Sequence, residues 1–241
     1  MTRLWLFTLF LFISLFGEAS QSWTNYASKL SGYPEADRRK AILGLRSYPH
    51  LAEELKRQLT GEEKYLALEV ISALRLSSFL PQLVSLSPQD ENGSLYLTIN
   101  TLITKENYSE ISRFYVAKFR NRTGISDAAL VVILDTLGRF NWELEEPELL
   151  DVFTAHSPEV RSAVLYYVRL LGIERQKIVF EKLIKKALGD QAFSIRLQAL
   201  YYLTDLSKSH IRGLSVFLPL CRNDENRDVR EKCLSLGREG S

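Results

Sequence analysis

Apolar residues in this chain return at intervals of three and four, not two. In 49–59, Leu51, Leu55 and Leu59 fall on one helical side, which is the spacing of a helix with one buried face. The stretches 79–86, 111–119, 147–155, 173–188 and 211–220 repeat the pattern, and each predicts an amphipathic helix. Short turns separate them. Gly61 before Glu62-Glu63, Ser157-Pro158-Glu159, Gly189-Asp190 and Asn223-Asp224 join helix-ending glycine or asparagine to N-cap oxygens, first-turn acids and, at Pro158, a first-turn proline. With only 12 glycines and 7 prolines in 241 residues, the chain lacks the frequent turn signals of a sandwich or barrel. An all-α fold follows.

The helices recur as a unit. Ser157-Pro158-Glu159-Val160-Arg161-Ser162-Ala163-Val164-Leu165, Ala192-Phe193-Ser194-Ile195-Arg196-Leu197-Gln198-Ala199-Leu200 and Asn226-Arg227-Asp228-Val229-Arg230-Glu231-Lys232-Cys233-Leu234 each place an aliphatic residue before an arginine and a small or aliphatic residue three places after it. The arginines lie 35 and then 34 residues apart. Marking the third residue after the arginine gives Ala41, Ala67, Thr98, Val132, Val164, Ala199 and Cys233, at steps of 26, 31, 34, 32, 35 and 34. A fixed period of this size is the signature of stacked helical hairpins, and about seven fit the stretch 20–241 as one domain.

The string Leu218-Pro219-Leu220-Cys221-Arg222-Asn223-Asp224 followed by Asp228-Val229-Arg230 resembles a HEAT repeat. Leu183-Ile184 to Asp190 with Ile195-Arg196 is similar, as is Leu149-Leu150 to Ser157 with Val160-Arg161, where serine replaces the aspartate. The match is most regular over 145–238 and looser over 25–144, where the arginine is not kept in every unit. The resemblance implies a right-handed α-solenoid whose second helices line a concave side. It implies no single function, because binding and catalysis reside in sites, not folds.

The first twenty residues differ from the rest. Thr2 and Arg3 precede a run from Leu4 to Phe16 that is apolar apart from Thr8 and Ser14, and Gly17-Glu18-Ala19 sets small residues for a cut after Ala19. That is the layout of a secretory signal peptide over 1–19, an uncleaved anchor being the alternative. The expected destination is the periplasm or the secreted medium. Loss of the leader removes Arg3 and Glu18, so the formal charge of +2 is unchanged. So small a charge provides no field for holding nucleic acid.

Export would carry Cys221 and Cys233 into a compartment that permits pairing. Placed at the end of one helix and two turns into an antiparallel next one, they would be roughly 10 Å apart, beyond disulfide reach of about 7 Å. That geometry favours two small buried apolar residues, with a disulfide as the alternative.

Candidate chemistry is sparse. His50, His156 and His210 are dispersed and read as solvated turn residues. Asp224, Asn226 and Asp228 imitate the start of a calcium loop, but Val229 stands where glycine is needed and Ser235 where glutamate is needed. Neither a phosphate-cradling loop nor a nucleophile turn occurs, so no catalytic, cofactor or metal site is expected. Asn92, Asn107 and Asn121 head glycosylation motifs, which matter only in a eukaryotic secretory pathway.

The repeated Arg161, Arg196 and Arg230 are expected to pair with turn oxygens such as Asp190 and Asp224, fixing one hairpin to the next. Tyr166-Tyr167 and Tyr201-Tyr202 occupy equivalent places 35 residues apart. If Ile195, Ala199, Leu203 and Leu206 face the core, Tyr201 points outward, and Tyr166 by equivalence. With Arg169, Leu197 and Asp205 they would form an amphipathic contact patch. The expected function is therefore an exported scaffold binding a protein or peptide. An accessory or lyase-like enzyme of the same repeat class and a structural spacer in an envelope assembly are the alternatives.

Overall fold

A computed structural model describes residues 22–86, 93–172, 175–208 and 216–239. The leader 1–19, Asn92, His210 and the side chains of Asp205 and Leu206 lie outside the described residues. Among the described residues there are thirteen α-helices and two 3-10 turns, with no strand. None of those helices is long and apolar enough to cross a membrane. The chain divides into two compact units, 1–85 and 86–241.

In the first unit α1 (Trp23–Ala27), α2 (Glu35–Arg46), α3 (Leu51–Gln58) and α4 (Lys64–Leu74) are followed by a 3-10 turn (Ser77–Phe79) and α5 (Leu80–Leu86). Helix α4 is its centre, packing on α1, α2 and α3. Its sequence explains this, because Ala67, Leu68, Val70 and Ile71 are buried on more than one side of the helix, and a helix apolar around much of its circumference cannot remain at the surface.

The second unit contains α6 (Ser94–Thr101), α7 (Tyr108–Arg120), α8 (Asp127–Arg139), α9 (Glu146–Ala155), α10 (Pro158–Leu171), α11 (Lys177–Leu188), α12 (Phe193–Lys208), a second 3-10 turn (Leu218–Leu220) and α13 (Arg227–Glu239). Two rows emerge from their contacts. Helices α6, α8, α10, α12 and α13 touch in that order, while α7, α9 and α11 pack against α8, α10 and α12 respectively, with α9 also touching α11.

The α8 to α10 contact depends on Gly138. A Cβ built there would lie 2.8 Å from the Leu170 Cδ1 and 3.2 Å from its Cβ, so the helices approach at a distance that only glycine allows. Gly138→Ala is expected to cost about 1–3 kcal/mol by overpacking. A denaturant midpoint within error of wild type would show that Leu170 moves aside freely.

Two expectations need correction. Cys221 and Cys233 form a disulfide, with Cα atoms 5.8 Å apart. The 10 Å estimate assumed that a full helix ends at Cys221. The described part of 211–220 is instead the short turn Leu218–Leu220 carrying Pro219, and it packs directly on α13. His156 is likewise not simply solvated. Its Nδ1 is 3.0 Å from the Asp127 Oδ1, with the side chain 22% exposed.

Candidate functional site

The turns between hairpins carry a ladder of buried charge. Arg161 donates from Nη1 to the His156 carbonyl at 2.6 Å and from Nη2 to Asp190 Oδ1 at 2.8 Å. Arg196 repeats this one hairpin on. Its Nη1 donates to the carbonyls of Asp190 at 2.7 Å and Gln191 at 3.0 Å, while Nε and Nη2 grip both oxygens of Asp224 at 2.7 and 2.9 Å. Arg230 donates to the Asp224 and Glu225 carbonyls at 2.5 and 2.9 Å. Each guanidinium thus holds its own turn, and the first two also hold the next one.

Asp190 and Asp224 are pre-set for this role. One oxygen of each accepts a backbone N–H two residues on, from Ala192 and Asn226, the local turn that aspartate favours. Burial alone would push the Asp224 carboxyl up. The hydrogen bonds from Arg196 and Asn226, with the charges of Arg196 and Arg230, outweigh it and hold the group below its ordinary value.

The tyrosines lie on the row α10, α12, α13. Ile195, Ala199 and Leu203 are buried, and Tyr201 stands 54% exposed. The Lys232 ammonium sits 5.0 Å from the Tyr201 ring centroid. Tyr202 is buried; the Arg169 guanidinium covers its ring at 5.0 Å, and Gln198 donates to its hydroxyl at 2.9 Å. Tyr166 is only half-exposed and Leu197 half-buried. The outward position expected of Tyr166 is therefore only partly found, and the two tyrosines differ in exposure despite their equivalent places. Arg169 is thus brought to the tyrosine face beside Tyr202, while Asp205 belongs to the side chains not described.

A second surface was missed from sequence. A groove of about 650 Å³ runs between α7 and the loop after α8, lined by Arg113, Val116, Ala117, Arg120, Trp142 and Arg175 among others. Its loop wall is built from a helix stop. Asn141 takes a left-handed φ of 59°, and the N–H groups of Asn141 and Trp142 return to the Gly138 and Leu137 carbonyls at 3.0 and 2.8 Å. This is the two-bond motif that ends many helices, with asparagine as the tolerated substitute for glycine.

Trp142 then stacks on Phe140 and meets Tyr108 edge-on, with centroids 5.1 and 5.0 Å away. The buried Tyr167 hydroxyl donates to the Trp142 carbonyl at 2.9 Å and accepts the Leu144 N–H at 2.8 Å. Burial raises the Tyr167 phenol far above its usual value, so it remains neutral and available for both bonds. The loop wall is held at both ends of the Trp142 backbone.

Among the described residues, no group of three or more histidine, cysteine, aspartate or glutamate side chains is arranged to hold a metal ion. A scan against protein-family models, a search of curated proteins and a search of solved structures each found no match to this chain.

Proposed function

We propose that this protein is an exported binding scaffold of hairpins similar to HEAT repeats, which takes a protein or peptide partner on the face carrying Tyr201. The observation that carries the reading is Tyr201 itself, more than half exposed beneath the Lys232 ammonium. A cation over one ring face orders the side chain while its edge and hydroxyl stay open. Ordered aromatics beside cations are frequent anchors of protein interfaces.

Support for the repeat comes from the row of α6, α8, α10, α12 and α13 and from arginines that tie consecutive turns. Support for export comes from the Cys221 to Cys233 bridge, since structural disulfides persist mainly in oxidising compartments. The signal peptide over 1–19 and the concave side remain parts of the same proposal.

The test is capture from an extracytoplasmic fraction with the chain from residue 20 as bait. A Tyr166→Ser, Tyr201→Ser variant should lose the partner by about ten-fold or more, the effect of removing an interface anchor. A Tyr65→Ser control, changing another tyrosine that is 53% exposed, should retain it. Equal retention by all three folded baits would remove the Tyr201 face from the function and move weight to an enzyme-accessory or spacer role.

A further inference from the structure

The groove beside Trp142 joins an apolar floor to three guanidiniums, of which Arg113 has no carboxylate partner among the described residues. Its lining carries Arg113, Arg120 and Arg175 against one carboxylate, Glu143. Arg113 donates to the Ser109 carbonyl and hydroxyl, each at 3.3 Å, and has no acidic partner among the described residues. Arg120 reaches Glu148 at 2.8 Å and Glu145 at 3.4 Å, and is about half exposed. Arg175 bonds the Asn141 amide oxygen at 3.1 Å and pairs with Glu143, both side chains again about half exposed. The exposed Arg175 to Glu143 and Arg120 to Glu145 pairs are worth roughly 0–1 kcal/mol each, so an incoming carboxylate can replace them at small cost and share Arg120 with Glu148.

The spacing narrows the ligand. Arg113 and Arg120 are seven residues apart on α7, hence two turns apart and separated by roughly 10 Å along the helix axis. Val116 and Ala117 lie between them and line the groove opposite Trp142. A peptide in the polyproline II form advances about 3.1 Å per residue and returns to the same face every third residue. Two carboxylates three residues apart would therefore stand about 9 Å apart on one side, matching the two arginines, with an apolar residue between them against the floor. The loop wall is fixed before a ligand arrives by Tyr167, Phe140 and Tyr108, which lowers the ordering cost of binding.

We propose that this groove binds an extended acidic peptide segment, with Arg113 and Arg120 receiving two carboxylates three residues apart and Trp142, Val116 and Ala117 contacting the residues between. The proposal rests on the binding-scaffold reading. It fails separately from it, because no residue of the Tyr201 face lines this groove.

The measurement is fluorescence anisotropy with a dye-labelled, end-blocked peptide containing Glu-Pro-Leu-Glu flanked by glycines. Wild type should bind it saturably and lose affinity as salt rises. Arg113→Gln and Arg120→Gln should each weaken binding by about ten-fold, one charge-assisted hydrogen bond apiece. Both positions are surface residues, and circular dichroism is expected to be unchanged. Arg113→Glu with Arg120→Glu should reverse the preference to a Lys-Pro-Leu-Lys peptide. Absent saturation, equal binding of a Gln-Pro-Leu-Gln peptide, unaltered affinity in the glutamine variants, or complete displacement by millimolar inorganic phosphate would each overturn the proposal. Loss of Tyr201-dependent capture with this peptide still bound would instead sink the earlier reading alone.

Discussion

Arg196→Ala is expected to lower the stability of the second unit by about 3–5 kcal/mol, the cost of removing one partner from a buried ion pair. Arg196 and Asp224 have side chains only 7% and 6% exposed, and they meet through two parallel hydrogen bonds. Truncation leaves Asp224 charged and buried, and strands the carbonyls of Asp190 and Gln191 that Arg196 also holds. Replacing both partners, Arg196→Met with Asp224→Leu, should recover much of the loss, because no unpaired charge then remains. Chemical denaturation of the two variants gives the answer. A double variant as weak as the single would mean that the carbonyl bonds, not the ion pair, dominate.

The same pair sets a pH dependence. The Asp224 carboxyl is held below its ordinary value in the fold, so its contribution is complete above the unfolded pKa of about 3.9. It is lost as pH falls through the depressed folded value. Asp224→Asn should therefore be less stable than wild type at pH 5 and above, and the two should converge in more acidic solution.

Cleaving the Cys221 to Cys233 bridge is expected to cost about 3 kcal/mol, the loop-closure figure for a crosslink spanning 12 positions. The effect should be local. The second 3-10 turn packs on α13, and Leu218, Val229 and Leu236 are buried there with the two cysteines. Reduced protein, or Cys221→Ser with Cys233→Ser, should lose amide protection over α13 first while α8 and α10 remain protected. Hydrogen exchange followed by mass spectrometry distinguishes this from uniform loosening, which would mean that the bridge supports the whole unit.

The all-α architecture was legible because three-and-four spacing is a strong signal over long stretches, and helices α7, α9 and α11 coincide closely with the stretches that carry it. The Arg161, Arg196 and Arg230 period was equally visible, since a bond made once per hairpin leaves its mark once per hairpin. The disulfide was hidden by an assumed helix. A proline inside a short apolar run left α-helix and 3-10 turn undecided, and the Cα separation depends on which forms. The groove was hidden for a different reason. Arg113 and Arg120 look like ordinary solvated cations on α7, and only the fold brings Trp142 and Arg175 opposite them, from a loop and a turn further along the chain. The one local hint was Asn141, an asparagine placed where a helix must stop.

The arginine ladder also has a direction. Arg161 and Arg196 each reach the carboxylate of the following turn, and Asp190 and Asp224 each receive from the preceding hairpin, while Arg230 holds its own turn. Shortening this unit from its two ends is consequently not equivalent. Loss of the last hairpin takes Asp224 from Arg196 and leaves it the carbonyls of Asp190 and Gln191, whereas loss of everything before α11 takes Arg161 from Asp190 and leaves it the Ala192 N–H. Unravelling from the C-terminal end therefore breaks the two-bond Arg196 to Asp224 pair first, and the disulfide closes that same end against it.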